Sequence, residues 1–224
     1  MSGQMITFAA NGGTASGYLA MPKSGSGPGL VVLQEYWGLV PHIKDVADRF
    51  AAEGFVALAP DLYHGNAAKH PDEAVRLMMA MNIAETEKEL RGAAALVKAK
   101  SSTAKVGVVG YCMGGSLALL AATLNADIGA CNTYYGANQR IKPDFSLLAC
   151  PVLGLWGADD GHITPAIVGQ LAVDIHAAGK TAEMHSYKGA GHAFFNDSRP
   201  EAYNKEAAQD AWKRTLTFFR KHLK

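Results

Sequence analysis

Val106-Gly107-Val108-Val109-Gly110-Tyr111-Cys112-Met113-Gly114-Gly115 decides how this chain is read. An apolar strand pattern runs straight into a glycine-flanked cysteine, and a small-residue helix pattern, Ser116-Leu117-Ala118, begins at once. Strand, tight turn and helix in immediate succession form the setting of a nucleophile elbow, here with cysteine where serine usually stands. So sharp a turn strains the backbone of its apical residue, and side chains at Gly110 or Gly114 would collide with their neighbours. The turn also puts Cys112 at a helix N-terminus, where the dipole favours a thiolate. It leaves the Met113 N–H free to donate to an oxyanion. A cysteine without such flanks is most often a buried packing residue, and that is the reading for Cys131, within a strand pattern, and Cys150, just before one.

The same strand-to-helix succession recurs on both sides of the elbow. Gln4–Ala9 and Ser16–Met21 read as a leading hairpin, with Asn11-Gly12-Gly13 supplying the turn. Leu30–Leu33 is a continuous apolar run of the kind buried on both faces of a parallel sheet. A helix from Pro41 to Glu53 follows, with proline early and Gly54 closing it. Strands are then predicted at Phe55–Ala59, Val106–Val109, Ile128–Tyr134, Val152–Trp156 and Ala182–Tyr187. Helices are predicted at Pro71–Met81, Glu85–Lys98, Gly114–Leu124, Pro165–Ala178 and Glu201–His222. The pattern implies an α/β fold: a mostly parallel, doubly wound sheet of about eight strands, helices on both faces and an antiparallel edge. At 224 residues it is read as one domain, residues 1–224.

Composition narrows the function classes. Lysine plus arginine number 21 against 20 acidic residues, so the basic stripe of a nucleic-acid binder is not expected. No stretch approaches the roughly 18 consecutive apolar residues of a membrane span. The opening MSGQMITFAANGGT lacks a charged segment followed by an apolar one, so no signal peptide is expected. Three cysteines without C-x-x-C spacing imply neither a disulfide framework nor a zinc site. Neither G-x-G-x-x-G after a strand nor a phosphate-binding loop is present, so no cofactor and no metal are expected. The expectation is a cytoplasmic protein, a monomer or weak homodimer, with a small-molecule substrate.

Ligands of open parallel sheets bind beyond the carboxyl ends of the strands, so the polar residues that follow each strand matter most. They are Glu35, Cys112, the Asp159-Asp160 pair and His192. A thiol nucleophile needs a base within reach and a third group to orient that base. Nucleophile, acid and histidine follow one another in the order used by α/β-hydrolases. His162, in the acid loop, competes with His192, whose Gly189-Ala190-Gly191 lead-in after the last strand favours it. Asp160 is preferred to Asp159, either of which can cap a turn.

Further motifs accompany the G-Y-C-M-G-G elbow: Gln34-Glu35-Tyr36-Trp37-Gly38, Ala59-Pro60-Asp61-Leu62-Tyr63, Tyr134-Tyr135-Gly136, Gly157-x-x-Asp160 and Gly191-His192-Ala193-Phe194. Together they resemble the dienelactone hydrolase, or carboxymethylenebutenolidase, family over nearly the whole chain. The resemblance implies that Cys112 is the nucleophile, His192 the base and later the acid, and Asp160 the residue that orients the imidazole. It implies that Glu35 interacts with the thiol and accepts its proton when substrate binds. The Tyr36 N–H would join that of Met113 in the oxyanion hole. One departure concerns substrate. Dienelactone-specific members hold a substrate carboxylate with arginines, one shortly after the histidine, where Asn196 stands here. Arg76 and His70 lie in the region of the second without matching it. A less charged, aromatic substrate pocket is expected instead, from Tyr36, Trp37, Tyr63, Tyr135 and Phe194 with Asn196. The function this implies is cysteine-dependent hydrolysis of small esters or lactones through an acyl-enzyme. The rival readings are a broad carboxylesterase or thioesterase with the same triad, and a non-catalytic redox- or ligand-sensing module.

Overall fold

The structure is a computed structural model, described for residues 3–10, 12–137 and 140–224. Asn11 of the expected hairpin turn lies outside the described residues. Eight strands form one sheet: β1 (Gln4–Ala10), β2 (Gly13–Ala20), β3 (Gly29–Leu33), β4 (Val56–Pro60), β5 (Val106–Tyr111), β6 (Ile128–Tyr134), β7 (Val152–Gly157) and β8 (Ala182–Tyr187). Their order across the sheet is β1-β2-β4-β3-β5-β6-β7-β8. β1 pairs with β2 and β2 with β4 in antiparallel fashion, and every pairing from β4 to β8 is parallel. The doubly wound sheet with an antiparallel edge is therefore present. β3, β4, β5 and β7 are buried at every residue, as continuous apolar runs demand.

Helices α1 (Pro41–Ala52), α2 (Pro71–Ala80), α3 (Ile83–Lys100), α4 (Met113–Leu124), α5 (Pro165–Ala177) and α6 (Lys205–His222) cover the sheet. α1 and α6 share one face, where Phe50 packs on Trp212 at 4.5 Å and on Phe219 at 6.3 Å between ring centres. α3 and α4 pack side by side on the other face. The last helix starts at Lys205 and not at Glu201. Asn204 caps it, its side chain accepting from the Ala207 N–H at 3.1 Å, while residues 197–203 form turns. Among the described residues, no helix is long and apolar enough to cross a membrane.

This topology brings the C-terminal ends of β3, β5, β6, β7 and β8 to one edge of the sheet. The segments that follow them carry Glu35, Cys112, Tyr135, Asp160 and His192. A short 3-10 turn at Phe145–Leu147, which the sequence pattern does not foretell, lies in the connection between β6 and β7.

Candidate active site

Cys112 occupies the apex between β5 and α4 with φ 55° and ψ −116°, a conformation that side chains rarely adopt. Crowding holds it there. A Cβ on Gly110 would stand 1.9 Å from the Gly114 carbonyl oxygen, and one on Gly114 would stand 2.4 Å from that of Gln34. Both glycines are obligatory for the turn, as its sequence implies. The Cys112 N–H is anchored to the Tyr134 carbonyl at 3.0 Å, which leaves the thiol at the sheet edge, half-buried. Tyr135 (φ 40°) and Ala193 (φ 61°), which border the same site, also carry positive φ. Backbone strain of this kind persists where the surroundings over-determine it.

Asp160 and His192 come together from separate loops. The acid loop is sewn to the histidine loop by the Asp159 N–H donating to the Ala190 carbonyl at 3.0 Å. A Cβ on Gly157 would strike that same carbonyl oxygen at 2.3 Å, so the close approach requires glycine. Asp160 is buried and Asp159 exposed. One Asp160 oxygen accepts from the His162 and Ile163 amides at 2.7 and 2.9 Å, and the other meets His192 Nδ1 at 2.7 Å. Burial works against the Asp160 carboxylate, but the bonds from His192 and the two amides overcome it and hold its pKa below the usual value. Burial likewise disfavours a charged His192. Its hydrogen bonds to Asp160 and to the Cys112 thiol prevail and push the ring's pKa up to about 10. The imidazole thus has the carboxylate on Nδ1 and the Cys112 thiol close enough to raise its pKa. Tyr135 and His162 flank it, at 5.1 and 5.6 Å between ring centres. His162 is exposed, and its amide rather than its ring meets Asp160.

Glu35, only 1% exposed, sits behind this pair. Its oxygens accept from Asn196 Nδ2 at 2.8 Å and from the Tyr135 hydroxyl at 3.3 Å. Among the described residues, neither the Tyr36 nor the Met113 N–H is spent on another group. The Tyr63 hydroxyl lies 3.2 Å from the Tyr36 carbonyl oxygen and 3.3 Å from the Met113 sulfur, tying together the two residues whose amides could face an oxyanion.

The aromatic pocket foreseen from sequence takes a different form. Tyr63, Tyr135, Phe194 and Asn196 are buried. Asn196 spends its side chain on Glu35 and on Ser198, while Phe194 packs among Tyr134, Tyr135 and Tyr187. Trp37 stays partly open, beneath the Arg199 guanidinium at 5.6 Å. Tyr135 does border the cavity at the thiol, a space of about 250 Å³. Besides Cys112 and Met113, the other walls are Met78 of α2, Ser116 of α4, Ala137, His162, Ile163 and Ile167 of α5, none of them singled out as substrate-binding from sequence. These residues come from helices and loops whose facing toward Cys112 depends on tertiary packing. Arg76 is exposed, with Asp72 its ion-pair partner at 3.9 Å, and offers no clamp at this cavity.

The sequence model of the dienelactone hydrolase family matches residues 15–223. The chain belongs to the dienelactone hydrolase family. Its relatives include "Protein usf" of Aquifex pyrophilus, 38% identical with 99% of each chain covered. They also include a protein of Aquifex aeolicus (strain VF5) named "Putative carboxymethylenebutenolidase", 33% identical over 99% of this chain and all of that one. Among solved structures, a "Putative Dienelactone Hydrolase" from Klebsiella pneumoniae subsp. pneumoniae MGH 78578 is 29% identical and superimposes with a TM-score of 0.86, covering 98% of this chain and 99% of the other. As a dienelactone hydrolase family member with the α/β-hydrolase fold, the protein is an enzyme, a hydrolase acting on esters.

Proposed function

We propose that this enzyme opens small carboxylic esters and lactones through a thioester formed on Cys112, with His192 and Asp160 completing a triad. The observation that carries this reading is the imidazole that the buried Asp160 carboxylate holds at 2.7 Å beside the Cys112 thiol, which helps to raise its pKa. A ring whose pKa reaches about 10 is protonated at neutral pH, which favours a thiolate–imidazolium pair ready for attack.

In the proposed cycle the Cys112 thiolate adds to the substrate carbonyl carbon. The oxyanion that forms accepts hydrogen bonds from the Met113 and Tyr36 amides, each worth about 3 kcal/mol of barrier reduction. The imidazolium passes its Nε2 proton to the departing alkoxide as the carbon–oxygen bond breaks. The now neutral ring then takes a proton from water, whose oxygen attacks the thioester. Collapse of that second tetrahedral adduct expels the thiolate and leaves His192 protonated again. In a lactone both products of the first step stay on one molecule, attached through the thioester.

Neutral esters suit this site better than dienelactones. Asn196 is committed to Glu35, and Arg76 is exposed and paired with Asp72, so neither of these two positions supplies an arginine fork for a substrate carboxylate. Hydrolysis of p-nitrophenyl acetate and of neutral and carboxylate-bearing lactones by the native enzyme and by Cys112→Ala tests the proposal. Turnover that vanishes in the variant, with neutral substrates preferred, is expected. Native rates in Cys112→Ala would overturn it.

A further inference from the structure

A second, larger cavity adjoins the one at the thiol. It holds about 820 Å³ and lies between α4, α5 and, from the segment after β6, Ala137 and residues 141–145. Leu119, Ile141, Pro143, Phe145, Ala166 and Leu171 give it a mainly apolar wall, beside which stand Lys142, Gln170 and Asp174. The two spaces share Ser116, Ala137 and Ile167, so the groove opens directly from the catalytic cavity rather than standing apart from it. A cavity of about 250 Å³ at the sulfur accommodates the reacting ester group, while the neighbouring volume is too large and too apolar for that group alone.

We infer that this groove receives the acyl chain of the substrate, and that the enzyme prefers esters of extended aliphatic acids over acetates. The inference rests on the Cys112 thioester reading given above. Direction follows from the chemistry at the sulfur. The leaving oxygen must reach His192, so the alcohol portion lies on the side walled by His162 and Ile163. The acyl carbon chain then extends toward the remaining wall, along α4 from Met113 past Ser116 to Leu119. That wall is the one the large groove shares, whereas His162 and Ile163 line the catalytic cavity alone. Once the thioester has formed, the same groove keeps the acyl chain out of water while the alcohol departs.

Two ester series measure this: p-nitrophenyl esters from acetate to octanoate, and alkyl acetates from ethyl to octyl. Each methylene withdrawn from water is worth up to about fourfold in binding, so partial burial of about six more should raise kcat/KM at least about tenfold from acetate to octanoate. The alkyl acetates should stay flat. Ala166→Trp and Gln170→Trp place bulk in the groove from exposed positions of α5, and each should pull the octanoate-to-acetate ratio down toward one. A flat acyl series with Cys112-dependent acetate hydrolysis intact overturns the groove assignment and leaves the proposed function standing. A rise in the alkyl series instead of the acyl series overturns it too, as does a ratio that neither tryptophan moves. Absence of any Cys112-dependent ester hydrolysis overturns the proposed function itself, and this inference with it.

Discussion

Asp160→Asn exchanges one oxygen for an amide nitrogen and little else, yet the structure gives it a large expected effect. One Asp160 oxygen accepts from the His162 and Ile163 amides, and only an oxygen can stay there. The new Nδ2 must therefore face His192 Nδ1, where the carboxylate now sits at 2.7 Å. Two donors cannot share that contact, so Nδ1 must present its lone pair and the ring carries its proton on Nε2, toward the sulfur. A neutral ring in that tautomer can neither drive ionisation of the thiol nor accept a proton from water. The present rise of the ring from 6.5 to about 10 corresponds to roughly 5 kcal/mol of preference for the protonated form, supplied by Asp160 and Cys112 together against burial. Loss of the carboxylate's part and of the tautomer together should cost about 4–5 kcal/mol of transition-state stabilisation, or roughly 10³–10⁴ in kcat/KM. Steady-state hydrolysis of p-nitrophenyl acetate at neutral pH reads this directly. Thermal unfolding serves as control for folding: both backbone bonds to the retained oxygen survive, so the variant should stay cooperatively folded, with a Tm lowered by the loss of the charged pairing to His192. A folded Asp160→Asn enzyme within tenfold of native kcat/KM would refute the role given to this carboxylate.

Three further outcomes follow from the same geometry. Cys112→Gly should abolish turnover and raise Tm by a few degrees, because glycine adopts φ 55° freely and relieves strain of about 1 kcal/mol; an unchanged or lowered Tm by calorimetry would show the elbow to be unstrained. Asn196→Ala should destabilise the fold by about 2 kcal/mol in urea unfolding, since it strips a bond from the buried Glu35 carboxylate; a neutral effect would mean that Glu35 does not depend on that contact. His192→Asn should reveal a pH-dependent stability term. The native ring's pKa is raised, so its contribution is complete below about pH 6.5 and is lost as pH rises through about 10. The stability gap between native and variant should shrink across that window, and a constant gap would contradict the charged pairing.

Much of this organisation was legible in the sequence because it is written in local patterns. Continuous apolar runs marked the central strands to within a residue or two, and the glycines of the elbow announced a close approach that the backbone then makes. The resemblance to the dienelactone hydrolase family, through its Gly157-x-x-Asp160 motif, favoured the buried carboxylate over its exposed neighbour Asp159, which no hydrophobic pattern could do. The last helix starts later than its sequence suggests, because Glu201 and Ala202 suit a helix while the cap that sets its start is Asn204. Roles inside the site were harder. Tyr63, Tyr135, Phe194 and Asn196 all stand beside catalytic motifs, but adjacency along the chain does not say which way a loop side chain turns. Their hydrogen bonds and ring contacts join different loops, so they turn inward and brace Glu35, Met113 and His192 rather than meet the cavity as a group. The walls that do meet it, Met78 and Ile167, sit on helices whose orientation depends on packing against the whole sheet.

A mass measurement on the enzyme at work bears most directly on Cys112. Native protein quenched in acid during turnover of p-nitrophenyl butyrate and digested should yield the Cys112 peptide heavier by one butyryl group, with the Cys131 and Cys150 peptides unmodified. An unmodified Cys112 peptide during full turnover, together with continued hydrolysis by Cys112→Ala, would contradict the covalent mechanism.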